Sequence, residues 1–172
     1  MVLAEELRQA VLQAALQGKL TEQLETDGNV DEMLINIQAE KKKLIAEKKI
    51  KKEKPLPKIQ EEDIPFDIPD NWRWVRLQTF LDVRDGTHDS PKYVENGIPF
   101  VTSKNLNNGK IDFSDVKYIT KEDADFFNAR SKVNRNDILM AMIGSIGKPV
   151  LVDIEKEFAI KNMALFKPVP NS

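Results

Sequence analysis

Four prolines crowd residues 55–69, Pro55, Pro57, Pro65 and Pro69, and they constrain this chain more than any other feature. Each lacks a backbone donor and fixes φ, so no helix or central strand can run through them. An extended, semi-rigid path is expected there instead. The chain is therefore expected to be built in two parts. Residues 1–54 read as a helical arm, 55–71 as a proline-rich linker and 72–172 as a β-rich domain. The fold class is α+β, an α-helical hairpin or coiled-coil arm ahead of a β-rich domain. At 172 residues, one ordinary core plus an appendage is the ceiling.

Within the arm, Leu3, Leu7, Ala10, Val11 and Ala14 recur at helical spacing, and Gly18 stands where a left-handed C-terminal cap would fall. Asn29 is placed to cap a second helix, with Glu32 three residues on as the return half of a capping box. Val30, Met33, Leu34, Ile37, Leu44 and Ile45 supply its apolar stripe, interrupted at Lys41. Extended to about Lys54, this helix would be roughly 39 Å long at about 1.5 Å per residue. The first helix would pair with it antiparallel and cover only part of it. Val30, Leu34, Ile37 and Leu44 are thus expected to bind a partner chain, since a lone amphipathic helix gains little without one. Self-association through the helices is the other outlet.

Charge is divided along the same line. Residues 40–54 hold eight lysines against three glutamates, a local +5, so the rest of a chain of net charge −2 sums to −7. That run suits a solvated helix face, or contact with phosphate or a partner. The chain has no cysteine, which excludes disulfides, thiolate nucleophiles and cysteine zinc sites. No apolar run is long enough for a membrane helix or a signal-peptide core, and a cytoplasmic location is expected.

After the linker the pattern changes to short strands between turns. Residues 98–101 read as a strand, and Asn107-Asn108-Gly109 is a turn signal before the strand-like Lys110-Ile111-Asp112-Phe113. A helix is expected around residues 121–127. The apolar run 137–143 and the stretch 149–152 read as a buried hairpin around Gly144-Ser145-Ile146-Gly147. Trp72 and Trp74 share one face of an extended segment and are expected to anchor the first strand of the domain, although they could also stack on bases.

Catalytic signals are weak. Gly144-Ser145-Ile146-Gly147-Lys148-Pro149 departs from a phosphate loop, which needs four residues between its glycines and Ser or Thr after its lysine. Asp115 and Lys117, with Asp70 far away in sequence, are all that a metal-dependent nuclease would have. His88 is the one histidine, without a second ligand near it in sequence for a metal. No methyltransferase motif or glycine-rich cofactor loop is present. Neither a cofactor nor a catalytic residue is expected.

Leu7-Arg8-Gln9-Ala10-Val11-Leu12-Gln13-Ala14-Ala15-Leu16-Gln17-Gly18-Lys19-Leu20 resembles a segment common in specificity subunits of type I restriction-modification systems. So do the lysine run into Pro55-Leu56-Pro57, Ile64-Pro65-Phe66, and Ile68-Pro69-Asp70-Asn71-Trp72-Arg73-Trp74. Gly97-Ile98-Pro99-Phe100-Val101, Asn108-Gly109-Lys110-Ile111 and Asp137-Ile138-Leu139 extend the resemblance over nearly the whole chain. It implies a non-catalytic, sequence-reading subunit that binds double-stranded DNA and methyltransferase subunits, and works with a restriction subunit through the complex. Such subunits usually carry two recognition domains. One is visible here, without the usual closing segment, and a truncated chain or half-subunit is expected.

Two loops carry the side chains suited to DNA. Arg84, Thr87, His88, Ser90 and Lys92 form the densest polar group, in a turn-prone stretch with Asp85 and Asp89. Arginine and lysine match guanine acceptors, asparagine matches adenine, and hydroxyls reach bases or phosphates. The aspartates would contact cytosine, brace neighbouring cations, or cap amides in a plain turn. Ser103, Lys104, Asn105, Asn107 and Asn108 form the second loop, and Ser145 and Lys148 stand at the tip of the later hairpin. The competing function classes are a helical assembly module with a non-reading scaffold domain and a small hydrolase or nuclease.

Overall fold

The computed structural model describes residues 2–143 and 149–169. The chain divides into two compact units, one running to Phe80 and the other spanning Leu81–Val169.

The first unit is helical. α1 (Val2–Leu16) ends as its sequence predicts: Gly18 adopts φ 67°, and the N–H groups of Gly18 and Lys19 bond to the carbonyls of Ala15 and Ala14. α2 (Val30–Ala46) is capped by Asn29, whose Oδ1 accepts the N–H groups of Asp31 and Glu32 at 2.9 and 3.3 Å. It stops well short of Lys54. Lys48 takes φ 58°, and Lys48 and Lys49 donate to the carbonyls of Ile45 and Leu44, closing the helix with a lysine where glycine is usual. The lysine run therefore splits, with residues 47–54 outside the helix.

Lys41 explains the interruption in the apolar stripe. It is buried, bonds Glu53 at 3.1 Å and also donates to the carbonyl of Gln78. Gln78 lies in α3 (Leu77–Phe80), which packs on α2. One ammonium thus ties two segments distant in sequence onto one helix face. Lys41→Ala would leave that part-buried carbonyl, and the Glu53 carboxylate, short of a partner, so a loss of about 1–3 kcal/mol is expected. Trp72 and Trp74, the two tryptophans of the chain, both lie in this unit, and urea unfolding followed by their fluorescence checks the figure.

The proline segment is held against its own unit. Arg76 Nη2 bonds Asp63 at 2.6 Å and the Lys58 carbonyl at 3.3 Å. The Gln60 backbone N–H, with the Arg76 charge beside it, holds the Asp63 carboxyl below the usual range. The tryptophans do not begin a strand. Trp72 donates to Gln23 at 2.8 Å, and Trp74 packs edge-on against Phe66 with ring centroids 5.1 Å apart.

The second unit holds nine short strands among the described residues, and its first is β1 (Leu81–Asp85). β2 (Ile98–Val101) is followed by the hairpin β3 (Leu106–Asn107) and β4 (Lys110–Ile111), then β5 (Lys117–Ile119) and α4 (Lys121–Ser131). β6 (Ile138–Ala141), β7 (Val150–Leu151), β8 (Ala159–Ile160) and β9 (Met163–Pro168) complete it. An antiparallel sheet runs β1-β9-β6-β7, and a smaller one runs β5-β2-β8 with β2 and β8 parallel. The predicted buried hairpin is β6 with β7, in the register Ile138 to Leu151.

Between the sheets lie Val101, Leu139, Ile160, Met163 and Leu165, each fully or almost fully buried. A second cluster of Phe100, Ile119, Ala124, Phe127 and Ala159 seats α4. The chain crosses from one sheet to the other at Lys161-Asn162, between β8 and β9. Asn162 makes the bend at φ 53°, a left-handed conformation that asparagine tolerates. Among the described residues no helix is long and apolar enough to cross a membrane.

Candidate nucleic-acid interface

The bend at Lys161-Asn162 gathers the first candidate loop. Gly86 N–H donates to Met163 O and Thr87 N–H to Ile160 O, while Asn162 N–H returns to Thr87 O. The backbones lie so close that a Cβ on Gly86 would sit 2.8 Å from the Ile160 oxygen, which accounts for glycine there. Side chains add two further ties. His88 Nδ1 lies 2.7 Å from Asn162 Oδ1, and Lys161 Nζ donates to Ser90 Oγ. His88, Ser90 and Lys92 are exposed.

Thr87 and Arg84 have other duties than base contact. Thr87 is buried, and its hydroxyl shapes the turn by bonding the N–H and carboxylate of Asp89. Arg84 lies on β1 rather than in the loop, bonded to Asp82 and to the carbonyl of Arg130. Arg130, at the end of α4, in turn donates to Gly86 O at 3.0 Å. These contacts make the loop rigid from below.

The second loop begins where β2 ends. Lys161 N–H donates to Val101 O, so the bend that carries the first loop also borders the start of the second. Here Asn105 departs from its expected role as a base reader. It is buried, its Oδ1 accepts from the N–H and hydroxyl of Thr102, and its Nδ2 donates to the carbonyls of Asp112 and Asp115. The amide is fully used in building the loop. Asn108 and Gly109, at φ 51° and 73°, form the two-residue turn between β3 and β4 that the sequence indicates. Lys104, Asn107 and Asn108 are exposed and Ser103 half-buried. The Ser114 hydroxyl and N–H hold the Asp112 carboxyl below its usual range, which keeps a negative charge at the foot of the hairpin.

Ser145 and Lys148 lie outside the described residues. Lys117 stands over the Tyr93 ring at 4.4 Å, and Asp115 is exposed, its carbonyl bonded by Asn105. Asp70 belongs to the other unit. Among the described residues there is no cluster of three metal-ligating side chains.

The residues of α2 expected to meet a partner are partly covered within their own unit. Ile37 is 2% exposed and Val30, Leu34 and Leu44 are half-buried, and α3 packs on this helix. Met33 and Ile35 of α2 remain exposed, and α1 exposes a longer apolar series, Leu3, Leu7, Val11, Leu12 and Leu16. Sequence reasoning also missed Lys161 and Asn162. Their one local signal is an asparagine immediately ahead of an apolar strand.

The described residues thus form a helical unit and a β-rich unit whose polar loops meet at a sheet crossing. No family model matches the chain. It is 34% identical over 147 residues to the type I restriction enzyme EcoAI specificity subunit of Escherichia coli, a match covering 84% of this chain and 24% of that protein. It is 42% identical over 71 residues to the EcoEI specificity subunit, covering 41% and 12%, and 27% identical over 145 residues to the EcoBI subunit, covering 82% and 25%. Among solved structures, the HsdS subunit of Thermoanaerobacter tengcongensis aligns with 98% of this chain and 38% of its own, at 19% identity and a TM-score of 0.46. The chain is thus a homologue of type I restriction enzyme specificity subunits over most of its own length. It spans about a quarter of the EcoAI and EcoBI relatives.

Proposed function

We propose that this chain is a DNA-reading part of a type I restriction-modification specificity subunit. The surface around the Lys161-Asn162 bend reads one half-site of duplex DNA. The helical unit holds methyltransferase subunits, through which a restriction subunit is reached, and cleavage and methyl transfer belong to those partners. The observation that carries this reading is the 147-residue homology to a specificity subunit, longer than either compact unit and therefore drawing on both. The exposed apolar residues of α1, rather than the stripe of α2, supply the assembly surface.

The test is selection from random duplexes by the full chain assembled with a type I methyltransferase subunit. Replacing Asn107 or Asn108 is expected to cost about 1–3 kcal/mol at one base position if it reads a base edge. Lys104→Ala is expected to weaken all sequences alike and to flatten the salt dependence, as loss of a phosphate contact does. Leu7→Glu should impair assembly and leave base preference unchanged. A wild-type assembly without sequence preference, or DNA turnover by the purified chain alone, rejects the proposal.

A further inference from the structure

We infer that Asn162 is a positioning residue that fixes the hydrogen-bonding pattern of His88, so that His88 reads an exocyclic amino group on the DNA. This rests on the DNA-reading role proposed above and assigns one specificity-determining contact within it.

A neutral imidazole carries one N–H, and the partner of one nitrogen decides what the other can do. Asn162 Oδ1 is an acceptor, and it lies 2.7 Å from His88 Nδ1. The proton therefore sits on Nδ1. Nε2 is left as a lone-pair acceptor on an exposed ring, and among the described residues it has no partner. In the major groove, adenine N6 and cytosine N4 are donors, whereas guanine O6 and thymine O4 are acceptors. An outward Nε2 lone pair accepts from the first pair and repels the second. It distinguishes amino bases from keto bases.

The surroundings make the geometry rigid. Asn162 is held at the sheet crossing through its own backbone, donating to Thr87 O and accepting from Met142 N–H at 3.3 Å. Its φ of 53° aims the amide from a bend rather than from a free loop. Ser90, two residues beyond His88, is tied to Lys161, the residue before Asn162. The loop is therefore fastened to the bend at both His88 and Ser90. A base-reading group needs such support, because a poorly held side chain spends its discrimination on being ordered.

Two measurements test the inference. His88 is the one histidine in the sequence, so imidazole nitrogen shifts of the labelled full chain report it without ambiguity. The Nδ1–H form is expected in the wild type. Asn162→Gly keeps the left-handed backbone accessible, removes the amide, and is expected to release the ring to the Nε2–H form. A wild-type ring already protonated at Nε2 overturns the inference.

The second measurement is DNA selection by the assembled full chain. At one position the wild type should prefer adenine or cytosine, and His88→Ala and Asn162→Gly should each lose about tenfold of that preference there alone. Duplexes carrying purine for adenine, or 2-pyrimidinone for cytosine, lack the amino group and tell the two bases apart. The analogue of the preferred base should lose a similar factor. Unchanged preference in both variants, alongside intact selectivity elsewhere, overturns the inference and leaves the DNA-reading role standing. A wild type with no selectivity at any position removes that role and the inference together.

Discussion

Asp137→Ala is expected to destabilise the β-rich unit by about 3–5 kcal/mol, a large share of the roughly 5–15 kcal/mol that holds a domain together. Asp137 is 3% exposed at the start of β6, and its carboxylate accepts the Asn134 N–H at 2.7 Å and pairs with Lys167 of β9. Its backbone also accepts from Val152 N–H, just after β7. The residue therefore joins three strands and the segment that leaves α4. Alanine would strand the Lys167 ammonium in a site largely shut off from water, leaving it only the Lys132 carbonyl at 3.1 Å. Asp137→Asn keeps an acceptor for Asn134 and should cost less. Replacing both partners by apolar residues, Asp137→Leu with Lys167→Met, should recover most of the loss, because no buried charge is then left unpaired. Hydrogen exchange of the β6 and β9 amides measures each variant. A single mutant within about 1 kcal/mol of wild type would refute the assignment.

Phe100→Ala should cost a similar amount by a different mechanism. The ring is 1% exposed on β2, the central strand of the three-stranded sheet. It stacks on Phe127 of α4 with centroids 5.8 Å apart and planes at 22°. Ile119 and Ala159, from the two neighbouring strands, belong to the same buried cluster, and the Tyr93 ring lies 6.5 Å away. Truncation loses the transfer energy of the ring and leaves a cavity that a helix and two strands cannot close, about 3–5 kcal/mol together. Protection should fall together at β2, β5 and α4. If only β2 amides lost protection, the cluster would not be the cooperative unit described here.

The helical unit shows where local patterning suffices. Gly18 and Asn29 each end or begin a helix by chemistry contained within a few residues, and both act as their positions predict. The turn at Asn108-Gly109 and the strand at 98–101 are legible for the same reason. Lys48 is the counterexample. A lysine in the left-handed region has no sequence signature, so the helix expected to reach Lys54 ends at Ala46. The apolar stripe of α2 was legible as a buried face, but periodicity cannot say whether the cover comes from another chain or from residues 77–80 of the same one.

In the candidate site, the sequence by itself determined which segments are polar, turn-prone and rich in donors and acceptors. It also determined the relationship to specificity subunits, since that resides in the order of short motifs. The tertiary structure alone decided which polar groups remain available. Asn105 and His88 look alike as hydrogen-bonding loop residues, yet burial consumes every bond of the first and leaves Nε2 of the second open. Asn162 enters the site from more than seventy positions away because two sheets meet at its bend. Turns, caps and strand alternation are fixed by interactions within a few residues. Burial and long-range pairing depend on which distant segments the core brings together, and the residues of a loop do not carry that information.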